Sequence, residues 1–161
     1  MDWNTRMAMV VEDLAGELGV EPPFTAADLF SRVERQWSLP VRMEPFTSTA
    51  IGLDEHATGG CRFDGRTLVL QYYAGGSWVQ QERIKYHELG HVLFGTVQMG
   101  GTRRQACRGT VRSEEELLAE AFGAQMAYFA LYGRTVRSHE TTNSAEDADG
   151  PLQHWYRRLE S

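Results

Sequence analysis

The sequence has few cysteines, no long apolar run and no excess of basic residues, and each shortage excludes a class of protein. Among the 161 residues there are two cysteines, Cys61 and Cys107, whereas a secreted disulfide framework would have several at regular spacing. No apolar stretch approaches the ~18–20 residues that span a bilayer. The net charge of −6 argues against a general affinity for nucleic acid, which requires clustered Lys and Arg.

The first residues also lack the pattern of a secretory signal. Residues 1–6 do not form a basic segment followed by an apolar one, so no export signal is expected. Hydrophobic residues make up 42% of the chain and charged residues 24%, which is ordinary for a globular protein. We expect one cytoplasmic domain over residues 1–161, without direct contact to nucleic acid or membrane.

Local signals predict an α+β fold. Capping boxes at Thr25 and Ser77 begin two helices, and Gly19 is placed where an earlier helix would end. The apolar positions of the first and last of the predicted long helices are Met7, Val10, Val11, Leu14 and Leu18, and Leu117, Leu118, Phe122, Met126 and Phe129. β-rich segments at 41–46, 57–63 and 66–72, with Asp64-Gly65 as a hairpin turn, predict a small antiparallel sheet.

The segment His87-Glu88-Leu89-Gly90-His91 is an HExxH motif within a predicted helix. Residues four apart on a helix differ by about 40° in direction and ~6 Å in height, so both imidazoles can reach one zinc ion. Glu88 is turned by about 100° from His87, so it can accept a proton from water without being a ligand. The motif therefore indicates Zn²⁺ with His87 and His91 as ligands and Glu88 as general base.

A catalytic zinc ion needs a third protein ligand, and Glu116 and Glu120 lie four apart on the later helix. We favour Glu116 as the ligand and Glu120 as the carboxylate that orients a histidine. In the alternative, Ser113-x-x-Glu116 is a capping box and Glu120 is the ligand. Gly90 and the small residues that begin at Gly123 predict that the two helices cross closely, with the metal between them.

These residues resemble a known family, the ImmA/IrrE-type metallo-endopeptidases. The resemblance is carried by HELGH and by Glu116, Ala119 and Phe122 of an E-x-x-A-x-x-F helix. It implies a zincin-like domain with zinc ligands His87, His91 and Glu116 and the catalytic glutamate Glu88. The chain departs from the family where Glu120 replaces the common Asp or Asn, at Tyr86, and after Phe122.

The expected domain is therefore a small antiparallel sheet packed on the metal-binding helix and on a second, ligand-bearing helix. Its parts are a helical lead-in (1–39), the sheet with the HExxH helix (40–95), the ligand helix (113–133), and a polar loop with a terminal helix (134–161). The polar residues 138–150 are interpreted either as a cover for the cleft or as an ordinary linker to the last helix.

The predicted function is zinc-dependent hydrolysis of a peptide bond in a specific protein. By resemblance, the substrate is a helix-turn-helix transcriptional repressor. A second electrophile is expected among Tyr128, His139 and His154, with Tyr72 and Tyr73 as further candidates. Two alternatives remain open: a metal-stabilised module that binds a regulator without cleaving it, and a zinc hydrolase of small amides.

Overall fold

The structure is a computed structural model that describes residues 3–47, 58–94 and 114–137. Its elements are four helices and three strands, so the α+β class is confirmed. The elements are α1 (Trp3–Leu18), α2 (Ala26–Trp37), β1 (Val41–Phe46), β2 (Gly59–Asp64), β3 (Thr67–Tyr73), α3 (Trp78–Leu93) and α4 (Glu114–Tyr132). The predicted loop and terminal helix beyond residue 137 lie outside the described residues, as do Ser113 and Cys107.

The helix boundaries follow the local signals. α1 ends before Gly19, whose φ of 67° lies in the left-handed region that glycine adopts without strain. Thr25 begins α2 with a complete capping box, in which its side chain accepts from the Asp28 backbone N–H and the Asp28 side chain accepts from the Thr25 N–H. Ser77 and Gln80 form the same arrangement at the start of α3. These three predictions are confirmed.

The sheet is mixed, so the prediction of an antiparallel sheet was wrong for one of its two pairings. Its strand order is β1-β3-β2, with β3 antiparallel to β2 but parallel to β1. The Asp64-Gly65 turn sets the pairing of β2 with β3, because a tight turn joins antiparallel neighbours. No turn joins β1 to its neighbour, since β2 intervenes in the sequence, and a parallel pairing of this kind leaves no local signal.

One face of the sheet packs on the helices and the other carries charge. Cys61, Leu68 and Leu70 belong to the same buried core as residues of α1, α2, α3 and α4. Because side chains alternate along a strand, Arg62 and Val69 lie on the opposite face, where Glu44 pairs with Arg42 and Arg62 and Val69 is also buried. The core therefore lies between the sheet and the helices.

The crossing of α3 and α4 positions the site. A Cβ added at Gly90 would lie 2.9 Å from Ala119 Cα, and one added at Gly123 would lie 2.9 Å from the His87 backbone nitrogen. Neither position has room for a larger side chain, which confirms the predicted close approach of the two helices. Within the described ranges, no helix is long and apolar enough to cross a membrane.

Candidate metal centre

His87 and His91 present their imidazoles from one face of α3. The two Nε2 atoms are 3.1 Å apart, and the ring planes meet at 82° with centroids 4.8 Å apart. Both residues are buried, because the crossing with α4 covers this face of the helix. The i, i+4 spacing of the motif therefore brings the Nε2 atoms of the two histidines close enough together to bind one metal ion.

Glu116 of α4 completes a group of three. Its Oε1 lies 3.3 Å from His87 Nε2 and its Oε2 lies 3.2 Å from His91 Nε2. One potential ligand atom from each residue lies within 4.8 Å of the others, an arrangement that can hold a metal ion. Glu116 is the carboxylate at this point, while Glu120 lies one turn further along α4.

The three residues fit a zinc ion by distance and by chemistry. In a tetrahedral site with bonds of about 2.0–2.1 Å, neighbouring ligand atoms are about 3.3–3.4 Å apart. The 3.1 Å between the two Nε2 atoms is close to that value, and each Nε2 lies 3.3 or 3.2 Å from a different oxygen of the Glu116 carboxylate. Two imidazoles with one carboxylate are also a common donor set of catalytic zinc, with a fourth position left for water.

The charge distribution keeps Glu116 anionic. Hydrogen bonds from His87 and His91 lower the pKa of the Glu116 carboxyl well below its usual range, and they outweigh the opposing effect of burial. A deprotonated carboxylate is the form that binds a cation. The Glu116 carboxyl is therefore in the ionisation state that a metal ligand requires.

Glu88 is buried beside this group, with 1% of its surface exposed. Its Oε1 has no hydrogen-bond partner among the residues that the structure describes. Burial raises the pKa of the Glu88 carboxyl, while the neighbouring His87 and His91 and a hydrogen bond from the Cys61 thiol act in the opposite direction. A buried carboxylate with a raised pKa next to potential metal ligands is suited to accept a proton.

The first residue of β2 provides the space that Glu88 occupies. A Cβ added at Gly59 would lie 2.7 Å from Glu88 Oε1, 2.8 Å from Ile84 Cγ2 and 2.9 Å from the Gln71 carbonyl oxygen. Glycine at this position lets the Glu88 carboxylate lie directly against the backbone of the strand. The start of β2 therefore forms one wall of the candidate site.

Glu120 extends the site along α4 on the other side of His87. Its Oε2 lies 3.2 Å from His87 Nδ1, and its Oε1 pairs with the Arg83 guanidinium. Metal-binding histidines usually place their second ring nitrogen against such an oxygen, which fixes the orientation of the ring. The Glu120 carboxylate lies on the side of His87 where such an oxygen would be placed.

The expected second electrophile is not found at this centre within the described parts of the chain. Tyr128 lies twelve residues beyond Glu116, about 18 Å along the helix, and its ring contacts Tyr132 instead. Tyr72 lies beneath the Lys85 ammonium group, 4.5 Å from it. His139 and His154 lie outside the described residues.

Tyr73 is also turned away from the centre. Its ring packs on Phe46, and it lies on the sheet face opposite to Leu70 and Tyr72 because side chains alternate along β3. The roles predicted for Tyr72, Tyr73 and Tyr128 therefore remain predictions that these contacts do not support.

Sequence reasoning missed three contributors to the site: Arg83, Cys61 and Gly59. Arg83 carried a usable signal, because it lies four residues before His87 and hence on the same helical face. Cys61 and Gly59 carried none, since their proximity to Glu88 depends on how β2 packs against α3. No family model, curated protein or solved structure matches this chain.

Proposed function

We propose that this protein is a zinc-dependent peptidase. The proposal is supported above all by one arrangement: two buried histidines and a half-buried glutamate, with a buried second glutamate beside them. The donors are His87, His91 and Glu116, and the accompanying carboxylate is Glu88, whose Oε1 has no partner among the described residues. A purely structural helix crossing has no need to bury a carboxylate oxygen without a partner, because that costs about 1–3 kcal/mol or more.

Each residue has a distinct task in this proposal. His87, His91 and Glu116 would hold the ion, and the chemistry that bound zinc supplies is a water pKa lowered to ~7 and polarisation of a carbonyl group. Glu88 accepts the proton of the attacking water at Oε1 and delivers it to the departing amine. General acid–base transfer of this kind contributes about 10²–10⁴-fold to the rate. Glu120 holds the His87 ring in place.

The edge of the sheet supports a peptide as substrate. β2 pairs with β3 on one side, and no strand pairs with its other side among residues 3–47, 58–94 and 114–137. An extended peptide added to that edge would pass Gly59 and hence Glu88. We place the scissile bond where this path meets the centre.

The resemblance to ImmA/IrrE-type endopeptidases narrows the proposal further. It supports a zincin-like arrangement and a cytoplasmic helix-turn-helix repressor as the substrate. It depends on the HELGH motif and on the spacing to Glu116, Ala119 and Phe122. Regulators encoded beside the gene are therefore the first proteins to test.

The test combines metal analysis with cleavage. Wild type, Glu88→Gln, Glu116→Ala and Glu120→Ala are supplied with zinc, and metal content is measured by mass spectrometry. Each is then incubated with the neighbouring regulators and with a peptide library. We expect about one zinc ion per chain in wild type and in Glu88→Gln. Among the variants, Glu116→Ala should lose the most zinc. Glu88→Gln should cleave at least ~100-fold more slowly than wild type.

Three results would contradict the proposal in different ways. A wild-type chain that binds no zinc rules out the metal centre. Cleavage by Glu88→Gln at the wild-type rate rules out the proposed base. A stable complex with an intact regulator, formed equally by wild type and Glu88→Gln, would instead establish the non-cleaving binding module, and turnover of small amides alone would establish the third alternative.

A further inference from the structure

The carboxylate of Glu120 bridges two residues of α3. Its Oε1 pairs with Arg83, and its Oε2 lies 3.2 Å from His87 Nδ1. Arg83 and His87 are four residues apart, so they lie on the same face of α3, as Glu116 and Glu120 do on α4. Where the two helices cross, the arginine and imidazole groups of α3 therefore alternate with the carboxylates of α4.

The bridge is largely shielded from solvent. The Arg83 side chain is 16% exposed and that of Glu120 is 23% exposed. An arginine–carboxylate pair in such a setting holds both side chains in a defined geometry, because the planar guanidinium offers several fixed donors. Surface ion pairs lack this constraint, since water screens them and the side chains stay free to move.

Glu120 needs such an anchor for a geometric reason. A glutamate side chain loses about 1.5–2 kcal/mol of rotational freedom when it is fixed, so an unanchored Glu120 would leave the position beside His87 for much of the time. Arg83 contacts the oxygen that His87 does not use. Arg83 can therefore hold one oxygen of the Glu120 carboxylate while the other oxygen contacts His87.

We propose that Arg83 is a positioning residue of the metal centre. It fixes the Glu120 carboxylate, and Glu120 fixes the ring of His87 so that Nε2 points toward His91 and Glu116. This inference rests on the proposed function, because it assigns Arg83 an effect on metal binding. Arg83 acts on the centre through its ion pair with the Glu120 carboxylate.

The experiment measures zinc affinity by competition with a chelator and the visible absorption of the Co²⁺-substituted protein. The variants are Arg83→Met, Glu120→Ala and the double variant. Arg42→Met is the matched control, because Arg42 also pairs with carboxylates but does so on the outer face of the sheet. Removal of an orienting partner typically weakens metal binding ~10–100-fold.

The expected pattern identifies a role that acts through Glu120. Arg83→Met should weaken zinc binding ~10-fold and Glu120→Ala by ~10–100-fold, and the double variant should match Glu120→Ala because Arg83 has nothing left to position. The Co²⁺ spectrum should shift in Arg83→Met and stay unchanged in Arg42→Met. Circular dichroism checks the fold, and Arg83→Lys replaces Arg83→Met if the latter does not fold, with a smaller loss in the same direction.

Specific outcomes overturn the inference. Unchanged zinc affinity and Co²⁺ spectrum in Arg83→Met or Arg83→Lys, or a loss equal to that of Arg42→Met, would remove the positioning role while leaving the metal centre intact. If the fold-losses of zinc affinity in the two single variants multiply in the double variant, Arg83 does not act through Glu120. A wild-type chain that binds neither ion would overturn the proposed function itself, and this inference with it.

Discussion

The two halves of α3 each bury a glutamate, and the two carboxylates have different surroundings. Glu82, in the first half, accepts a hydrogen bond from the Ala26 backbone N–H at 2.6 Å and another from Lys85 at 2.9 Å. Glu88, in the second half, keeps one oxygen without a partner among the described residues. Both residues have no more than 5% of their surface exposed.

The difference separates a structural carboxylate from the one to which we assign a chemical role. Glu82 satisfies a backbone donor in the first turn of α2, so it connects the helical lead-in to the helix that carries His87 and His91. Glu88 lies beside His87 and His91, and burial raises the pKa of its carboxyl. Burial alone therefore does not make a carboxylate a candidate for catalysis; our proposal for Glu88 depends on an oxygen without a partner among the described residues next to potential ligands.

Exchanging each glutamate for glutamine should show this difference most strongly. In metal-free protein, Glu82→Gln should lower the free energy of unfolding by about 2–3 kcal/mol, because it weakens two buried, charge-assisted hydrogen bonds. Glu88→Gln should cost little or nothing, because it removes a buried charge and Oε1 has no hydrogen bond to lose. Urea unfolding with chelator present measures both values, and a larger loss in Glu88→Gln than in Glu82→Gln would contradict the comparison.

How much of this could be predicted from the sequence depends on whether a signal was local. Thr25, Ser77 and Gly19 each act within a few residues, and the helix ends they predict are confirmed. The HExxH spacing is equally local, and the close approach at Gly90 could be inferred because glycine in a helix interior needs a reason. The parallel pairing of β1 had no such signal.

Burial patterns were less predictable than helix ends. Val10 and Leu117 were assigned to apolar faces, but they are 39% and 44% exposed. Gln125 is buried although it is polar, because its amide donates to the Val136 carbonyl and accepts from the Val136 N–H. These outcomes depend on which segment covers a helix, and periodicity gives no information on that point.

A methyl group at Gly59 should test the wall that encloses Glu88. Gly59→Ala should lower the free energy of unfolding by about 1–3 kcal/mol, because its Cβ would lie 2.7 Å from Glu88 Oε1 and 2.9 Å from the Gln71 carbonyl oxygen. Peptidase turnover should fall as well, since Glu88 must move. Gly16→Ala is the control: nothing lies within 4 Å of its Cβ, and alanine should stabilise this helical position by up to about 1 kcal/mol.

The opposite result at Gly59 would be informative. An alanine there that leaves stability and turnover unchanged would mean that the strand and Glu88 are not packed against each other. The proposed path of a peptide along β2 would then lose its connection to the base. The stabilisation expected at Gly16 separates this outcome from a general tolerance of the chain to alanine.

The smallest effect is expected at a third carboxylate, Glu12, which is more exposed than Glu82 and Glu88. Burial raises the pKa of Glu12, but hydrogen bonds from Thr135 and Arg137 outweigh it, so the pKa is lowered overall. A lowered pKa in the folded state means that the stabilisation is present above the unfolded pKa of about 4.5 and is lost as the pH falls through the folded pKa. Because the side chain is 37% exposed, Glu12→Gln should cost only about 0.5 kcal/mol at neutral pH.

Unfolding of wild type and Glu12→Gln as a function of pH measures this contribution. The difference between them should be present at neutral pH, shrink below pH ~4.5 as the unfolded carboxyl takes up a proton, and vanish at still lower pH. Salt should reduce it at neutral pH, because water and ions screen an exposed pair. A loss at Glu12 as large as that at Glu82 would show that solvent exposure does not govern how much a hydrogen-bonded carboxylate contributes to the stability of this protein.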